Sequence, residues 1–177
     1  EEAQQTTIAL WKKLASRYKN EKIILGYDLL NEPIPHFYDN KEDLNKFLEP
    51  FYKKVTSAIR SIDKNHIIFL GGAQWNTNFK VFGAPFDKDL AYTFHKYWMP
   101  PEQKEIQEYV DFGNKYQVPV YMGESGENDD VWIDSFRKLL EKNEIGWCFW
   151  PYKKMDSTRG IASFVQTEEW KQIIKYA

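Results

Sequence analysis

The chain has a single cysteine in 177 residues, Cys148, so it supports neither a disulfide framework nor a thiolate metal site. The surroundings of that residue, GWCFW, are apolar and predict a buried, inert thiol. Charge of one sign is lacking as well. Twenty-four basic residues face 26 acidic ones, a formal net charge of −2, which leaves no strong field to draw in nucleic acid or an anionic lipid surface. No apolar run approaches the roughly 18 residues of a membrane-spanning helix. The three histidines, His36, His66 and His95, lack the spacing of a metal pair on one helix. A glycine-rich phosphate loop is also missing, because GGAQW, from Gly71, has neither the pattern nor a helix behind it.

What is abundant is aromatic. Seven Trp, eleven Tyr and twelve Phe make up 17% of the chain. Trp and Tyr join a flat apolar face to a polar tip, which suits cores, interfaces and sugar-binding clefts alike.

Apolar periodicity organises the chain into alternating helices and strands. Ile8, Trp11, Leu14, Ala15 and Tyr18 predict a helix over residues 2–19, and Lys22–Leu30 reads as a short buried strand. A second helical pattern runs from Lys41 to Ile62, followed by a strand in HIIFLGG from His66. A long loop containing Trp75 leads to a third strand, Leu90–Trp98, and Pro101 opens a helix that runs to Tyr116. VPVYMGE, from Val118, is a fourth strand with a helix over Asp129–Lys142 behind it. IGWCFWPY, from Ile145, is a fifth, followed by a polar loop and a last helix from about Thr167. The strands are apolar without alternation, as strands covered on both faces are. The expected class is therefore α/β with a parallel sheet, in a single domain spanning residues 1–177.

The polar residues of these strands gather at their C-terminal ends: Asn31 and Glu32, His95 and Tyr97, Glu124, and Trp150. In parallel α/β architectures those ends form one face, and that face holds the ligand. Glu32 and Glu124, far apart in sequence, thus become candidate neighbours. Two carboxylates flanking a glycosidic bond are the minimal machinery for its hydrolysis, one as nucleophile and one as acid/base. Asn31 offers an amide for a sugar hydroxyl, His95 and Tyr97 offer hydrogen bonds to the nucleophile, and Trp150 offers a stacking face. Each has a plainer reading taken singly: a strand-end turn for Glu32, a helix cap for Glu124, a satisfied core histidine for His95, and core packing for Trp150. With one acid at each strand end, a clustered carboxylate–His metal centre is not indicated.

In these same stretches the chain resembles glycoside hydrolase family 5, retaining glycosidases built on a (β/α)8 TIM barrel. GYDLLNEP resembles the family's fourth-strand motif, TFHKYW its sixth, VYMGESG its seventh and GWCFWPYKK its eighth. The resemblance implies that Glu32 is the acid/base, Glu124 the nucleophile, His95 and Tyr97 the conserved His and Tyr, and Trp150 the sugar-stacking Trp. Ser125 departs from the pattern, where an aromatic often follows the nucleophile. Such a barrel needs roughly 250 residues and eight strands, whereas the five strands read here match the fourth through eighth. A partial barrel is therefore expected, the C-terminal portion of a longer enzyme. The alternatives are a half-barrel completed by a second copy, or an inactive remnant or carbohydrate-binding module.

The implied activity is endo-type hydrolysis of a β-linked oligo- or polysaccharide, cellulose or β-glucan by default with mannan as runner-up. It needs no cofactor and no metal, and implies no nucleic-acid partner. The partners expected are the polysaccharide and the missing N-terminal strands or a second copy. A secreted or periplasmic location follows by the same resemblance. Trp75 and His36 are expected to contact substrate, with Trp98, Tyr152 and Lys153 as loop candidates on the same face, while His66, at the opposite end of its strand, has no assigned role.

Overall fold

A computed structural model of the chain describes residues 1–157, 159–160 and 162–176. The elements follow in the order α1 (Glu2–Tyr18), β1 (Gly26–Asp28), α2 (Lys41–Arg60), β2 (Ile67–Gly71), the four-residue α3 (Ala73–Asn76) and a 3-10 turn over Phe79–Val81. Then come β3 (Leu90–His95), α4 (Gln103–Tyr116), β4 (Val120–Glu124), α5 (Asp130–Lys142) and β5 (Gly146–Trp147). A pair of short strands, β6 (Lys153–Met155) and β7 (Ala162–Phe164), precedes α6 (Glu168–Ile173). Among the described residues no helix is long and apolar enough to cross a membrane.

β1 to β5 form one sheet in strict chain order, and every neighbouring pair is parallel. Crossovers between parallel strands are right-handed almost without exception. A sheet that never reverses its strand order therefore places its crossover helices on one face, the arrangement of a barrel wall rather than of a doubly wound sheet.

Alternation along the strands sorts side chains between the two faces. Tyr27, Ile68, Leu70, Leu90, Tyr92, Phe94 and Met122 are buried, and they form one cluster with Leu48, Tyr52, Val55 and Ile59 of α2, Ile106 and Tyr109 of α4, and Phe136 and Leu140 of α5. Burying each of these large side chains contributes roughly 1.5–3 kcal/mol, so this layer between sheet and helices carries most of the stabilisation. Below it, Asp63 accepts a hydrogen bond from the Tyr27 hydroxyl at 2.7 Å and pairs with His66 Nδ1 at 2.6 Å, which leaves His66 a structural residue.

The other face is different. Gly26, Asp28, Phe69, Tyr121 and Gly146 line a cavity of about 570 Å³ on the inner side of the sheet. The expectation that the strands are covered on both faces by helices is thus corrected, since the helices cover one face. Cys148 is a second correction: it is exposed rather than buried, because β5 is the edge of the sheet. The helix expected from Pro101 begins at Gln103. Glu102, in extended backbone, is its N-cap. β6 and β7, which pair in parallel, fall where the sequence reads as a polar loop. Lys153 and Lys154 give β6 no apolar signal.

Solvent reaches Asp28 across the inner face, yet protein crowds the rest of its surroundings. That loss of hydration pushes its carboxyl up from 3.8 to about 6; His95 opposes the shift and Glu124 adds to it. The folded chain therefore holds this proton in a pH range where the unfolded chain has released it. The group's contribution to stability is complete below pH 3.8 and is lost as pH rises through about 6. Denaturant unfolding of the parent and of Asp28→Asn between pH 4 and 7 is expected to show the variant gaining relative stability as pH rises. A pH-independent difference would remove Asp28 from this balance.

Candidate active site

The site is built where β3 meets β4, and a β-bulge makes it. Phe94 pairs with Met122, but the next residue of β3, His95, pairs with Glu124, so Gly123 and Glu124 together stand opposite one residue. With strict alternation Gly123 would face His95 and Glu124 would turn toward the helices. The extra residue re-aims Glu124 to the side of the sheet that His95 occupies, as bulges beside functional sites do. Only glycine fits at the bulge, because a Cβ on Gly123 would lie 2.4 Å from Thr93 Oγ1 and 3.3 Å from His95 Nε2.

Glu32 approaches from the end of β1. Its φ of 45° is left-handed, as is the 57° of Ile34, and a left-handed β-branched residue is a genuine outlier. His95 then joins the two glutamates. Its Nδ1 lies 2.9 Å from Glu32 Oε1 and 3.7 Å from Glu124 Oε2, while the ring itself is 4% exposed. Tyr97 donates its hydroxyl proton to Glu124 Oε2 at 3.0 Å. Burial, with Glu124 beside it, pushes the Tyr97 hydroxyl well above its usual range, so it remains a donor at neutral pH.

Behind His95 lies a second strained segment. Gln74, Trp75 and Asn76 of α3 have φ of 48°, 59° and 60°, so this short element is a left-handed turn. Each such residue costs about 1–2 kcal/mol outside glycine. The cost is offset by Gln74, whose amide exchanges hydrogen bonds with Asn45 of α2 (2.9 and 3.3 Å), accepts from Asn78 at 2.7 Å and donates to the Ile34 carbonyl at 3.3 Å. The turn sends Asn76 inward, where its Nδ2 meets His95 Nε2 at 3.2 Å. It sends Trp75 outward, half-exposed and edge-on to His36 with ring centroids 4.9 Å apart.

The structure does not bring all of the sequence-derived residues together. Glu32, His95, Tyr97 and Glu124 are brought into direct contact. Asn31 is exposed beside Glu32, and among the described residues its amide makes no hydrogen bond, so it is open to a ligand. Trp150 is exposed at the far side of Glu124, where it bridges to Gly126 and donates its backbone N–H to the Ser125 carbonyl. Trp75 and His36 form a separate aromatic patch with the exposed Phe37 and Tyr38. Trp98 is exposed and left-handed at φ 59°, with its indole N–H on the Glu127 carbonyl, and Glu127 is ion-paired with Lys154. Tyr152 and Lys153 are exposed where β6 begins. The sequence reading missed Asn76 and Gln74, for which a polar loop gives no signal. It also missed the bulge, for which a glycine inside a strand directly before an acid is the available sign.

Glu32, His95 and Glu124 also offer one ligand atom each within 4.8 Å of one another, the only such group among the described residues. A proton between His95 Nδ1 and Glu32 accounts for their 2.9 Å separation without a cation. Two carboxylates this close, one accepting a hydrogen bond from a tyrosine and both beside an imidazole, are equipped for nucleophilic attack paired with proton transfer.

Comparison with known proteins gives the family. The family described as Cellulase (glycosyl hydrolase family 5) matches residues 1–156. An endoglycoceramidase of Cyanea nozakii is 31% identical over 177 residues, covering 81% of this chain and 32% of that protein. Endoglucanase C of Acetivibrio thermocellus is 25% identical over 215 residues, covering 86% and 61%. Among solved structures, endoglucanase Cel5A of Thermotoga maritima superposes with a TM-score of 0.75 at 25% identity, covering 91% of this chain and 62% of that one. The chain thus spans less than two thirds of the length of each of these proteins, and its five-stranded sheet is part of a (β/α)8 barrel.

The bulge generates a prediction. Gly123→Ala forces a methyl group into Thr93 and against His95, and overpacking of this kind costs about 1–3 kcal/mol. Chemical denaturation is expected to show that loss. Unchanged stability would mean that the bulge does not need glycine.

Proposed function

The chain belongs to glycosyl hydrolase family 5, and from that premise we propose that it carries both catalytic carboxylates of a retaining β-glycoside hydrolase. One observation supports this most: carboxylate oxygens of Glu32 and Glu124 lie within 4.8 Å of each other. Retaining enzymes hold their carboxyl groups about 5–5.5 Å apart, whereas inverting enzymes leave about 6.5–9.5 Å for a water.

In the first step the Glu124 carboxylate bonds to the anomeric carbon as the glycosidic C–O bond breaks, and Glu32 gives its proton to the departing oxygen. In the second, Glu32 takes a proton from water, the water oxygen bonds to the anomeric carbon, and the ester to Glu124 breaks. Tyr97 suits Glu124 to the nucleophilic role, because a hydrogen bond received by a carboxylate favours its charged form. Asn31 binds a sugar hydroxyl, and Trp150 offers a flat face to a pyranose ring.

The substrate we infer is a β-linked polysaccharide of the cellulose or β-glucan type, cut internally, by an enzyme that works where such polymers lie, outside the cell. Endoglucanase Cel5A has been solved both with cellobiose and with mannotriose, which keeps mannan as the runner-up. A second reading has its own observation. The loop that starts at Glu32 displays Phe37 and Tyr38, respectively 71% and 45% exposed, beside Trp75. Because this loop also carries the acid that serves the leaving group, the patch would receive an apolar aglycone, a reading that the endoglycoceramidase relative supports.

Mass spectrometry after incubation with a 2-deoxy-2-fluoro cellobioside is expected to find a covalent adduct on the peptide containing Glu124. Sugar binding without any adduct or hydrolysis would replace the enzyme with a binding module. Glu124→Gln is expected to lower turnover at least a hundredfold, within the range that a missing catalytic group costs. Glu32→Ala is expected to spare the first step for leaving groups acidic enough to depart unprotonated; equal loss for all leaving groups would remove Glu32 as the acid.

A further inference from the structure

The double displacement leaves one contact unused, the buried amide on the far side of the His95 ring. We propose that Asn76 is a positioning residue that fixes His95 as the Nδ1–H tautomer, so that the ring proton is aimed at Glu32. The tautomer is a property of the folded chain alone; only its consequence for catalysis rests on the glycosidase reading.

A neutral imidazole has one nitrogen that donates and one that accepts, and its neighbours decide which is which. Nδ1 faces two carboxylates, Glu32 at 2.9 Å and Glu124 at 3.7 Å, and Asp28 acts on the same ring through its charge. A proton on Nδ1 can be given to Glu32, but a protonated Glu32 could instead donate to a bare Nδ1, so the carboxylates alone leave both tautomers open. Asn76 closes that choice: its NH2 group lies 3.2 Å from Nε2, which presents its lone pair there and leaves the proton on Nδ1.

The orientation of that amide follows from what each choice leaves unpaired. As it stands, Asn76 Oδ1 is the buried atom without a partner. Turning the amide over would place two buried N–H groups where the single oxygen now lies, and orphaned N–H groups are rarer in native proteins than under-satisfied carbonyl oxygens. The amide is also confined, since a Cβ on Gly71 would come within 2.4 Å of Oδ1 and 2.5 Å of Nδ2. The reciprocal pair between Gln74 and Asn45 holds the turn that presents it. With Nδ1–H given to Glu32 Oε1, the catalytic proton of Glu32 is carried on Oε2, so Asn76 selects the oxygen that serves the leaving group.

The test is a long-range proton–nitrogen NMR spectrum of the histidine rings, recorded without substrate. Three histidines, His36, His66 and His95, make the assignment tractable. At neutral pH the His95 ring is expected to carry its proton on Nδ1 with Nε2 bare. Asn76→Asp keeps the shape and the tolerance of a left-handed backbone but offers only acceptors, and it is expected to draw a proton onto Nε2. Asn76→Gly, which suits the same backbone and removes the donor, is expected to leave the ring a mixture of tautomers, and it decides the matter if the aspartate form does not fold. Turnover by Asn76→Asp is expected to fall about tenfold in kcat with KM nearly unchanged, part of the 10²–10⁴ that a positioned general acid contributes. A parent ring protonated on Nε2, or ring signals unmoved in the variants, would overturn the assignment. Absence of turnover in a parent that shows the expected tautomer would count against the glycosidase reading instead.

Discussion

The register of two strands governs this site. Because Gly123 and Glu124 share the place opposite His95, a carboxylate that strict alternation would bury among helices is turned to face an imidazole. From that single displacement the rest of the geometry follows. Tyr97, two residues beyond His95, reaches the same carboxylate, and Glu32 closes on the ring from the end of β1, two strands away. A Cβ at position 123 would undo the arrangement from beneath, since the atoms it would strike belong to Thr93 and His95.

Such a site needs a stiff foundation, and the distribution of burial supplies one. β3, the middle strand, is buried along its whole length, and its apolar face packs into the layer formed by α2, α4 and α5. Most of the backbone strain lies elsewhere, in the loops at the strands' C-terminal ends: Glu32, Ile34, Gln74, Trp75, Asn76, Trp98 and Glu127 are all left-handed without being glycine, whereas only Gln117 and Glu144 are so just before a sheet strand. Residues in that region persist only where their surroundings over-determine them. The amide network of Gln74, Asn45 and Asn78 and the Lys154 pair at Glu127 are the local restraints that do so.

Much of this was legible in the sequence. Apolar runs alternating with helical periodicity gave the strand order, and polar residues that break those runs at one end marked Asn31, Glu32, His95, Tyr97, Glu124 and Trp150 as a common face. The rest was hidden for definite reasons. Edge position is a tertiary fact, so Cys148 in an apolar string reads as buried although it is exposed. β6 is held by pairing with β7 rather than by apolar content, so its two lysines disguise it. Asn76 and Gln74 act through a turn type that ordinarily calls for glycine, and no pattern of residue types announces three other residues held there in succession.

That turn has a consequence for how such a protein can change. Its successive side chains point in three directions: Gln74 into the helix layer, Trp75 to solvent and Asn76 to the histidine. Support of the turn, exposure to solvent and contact with the imidazole therefore fall to adjacent residues that do not share contacts. A change at the outward position would touch neither the Gln74 amide network nor the imidazole contact, whereas a change at either inward position would break one of them. Within a span of three residues the backbone separates a side chain open to solvent from two that hold the interior together.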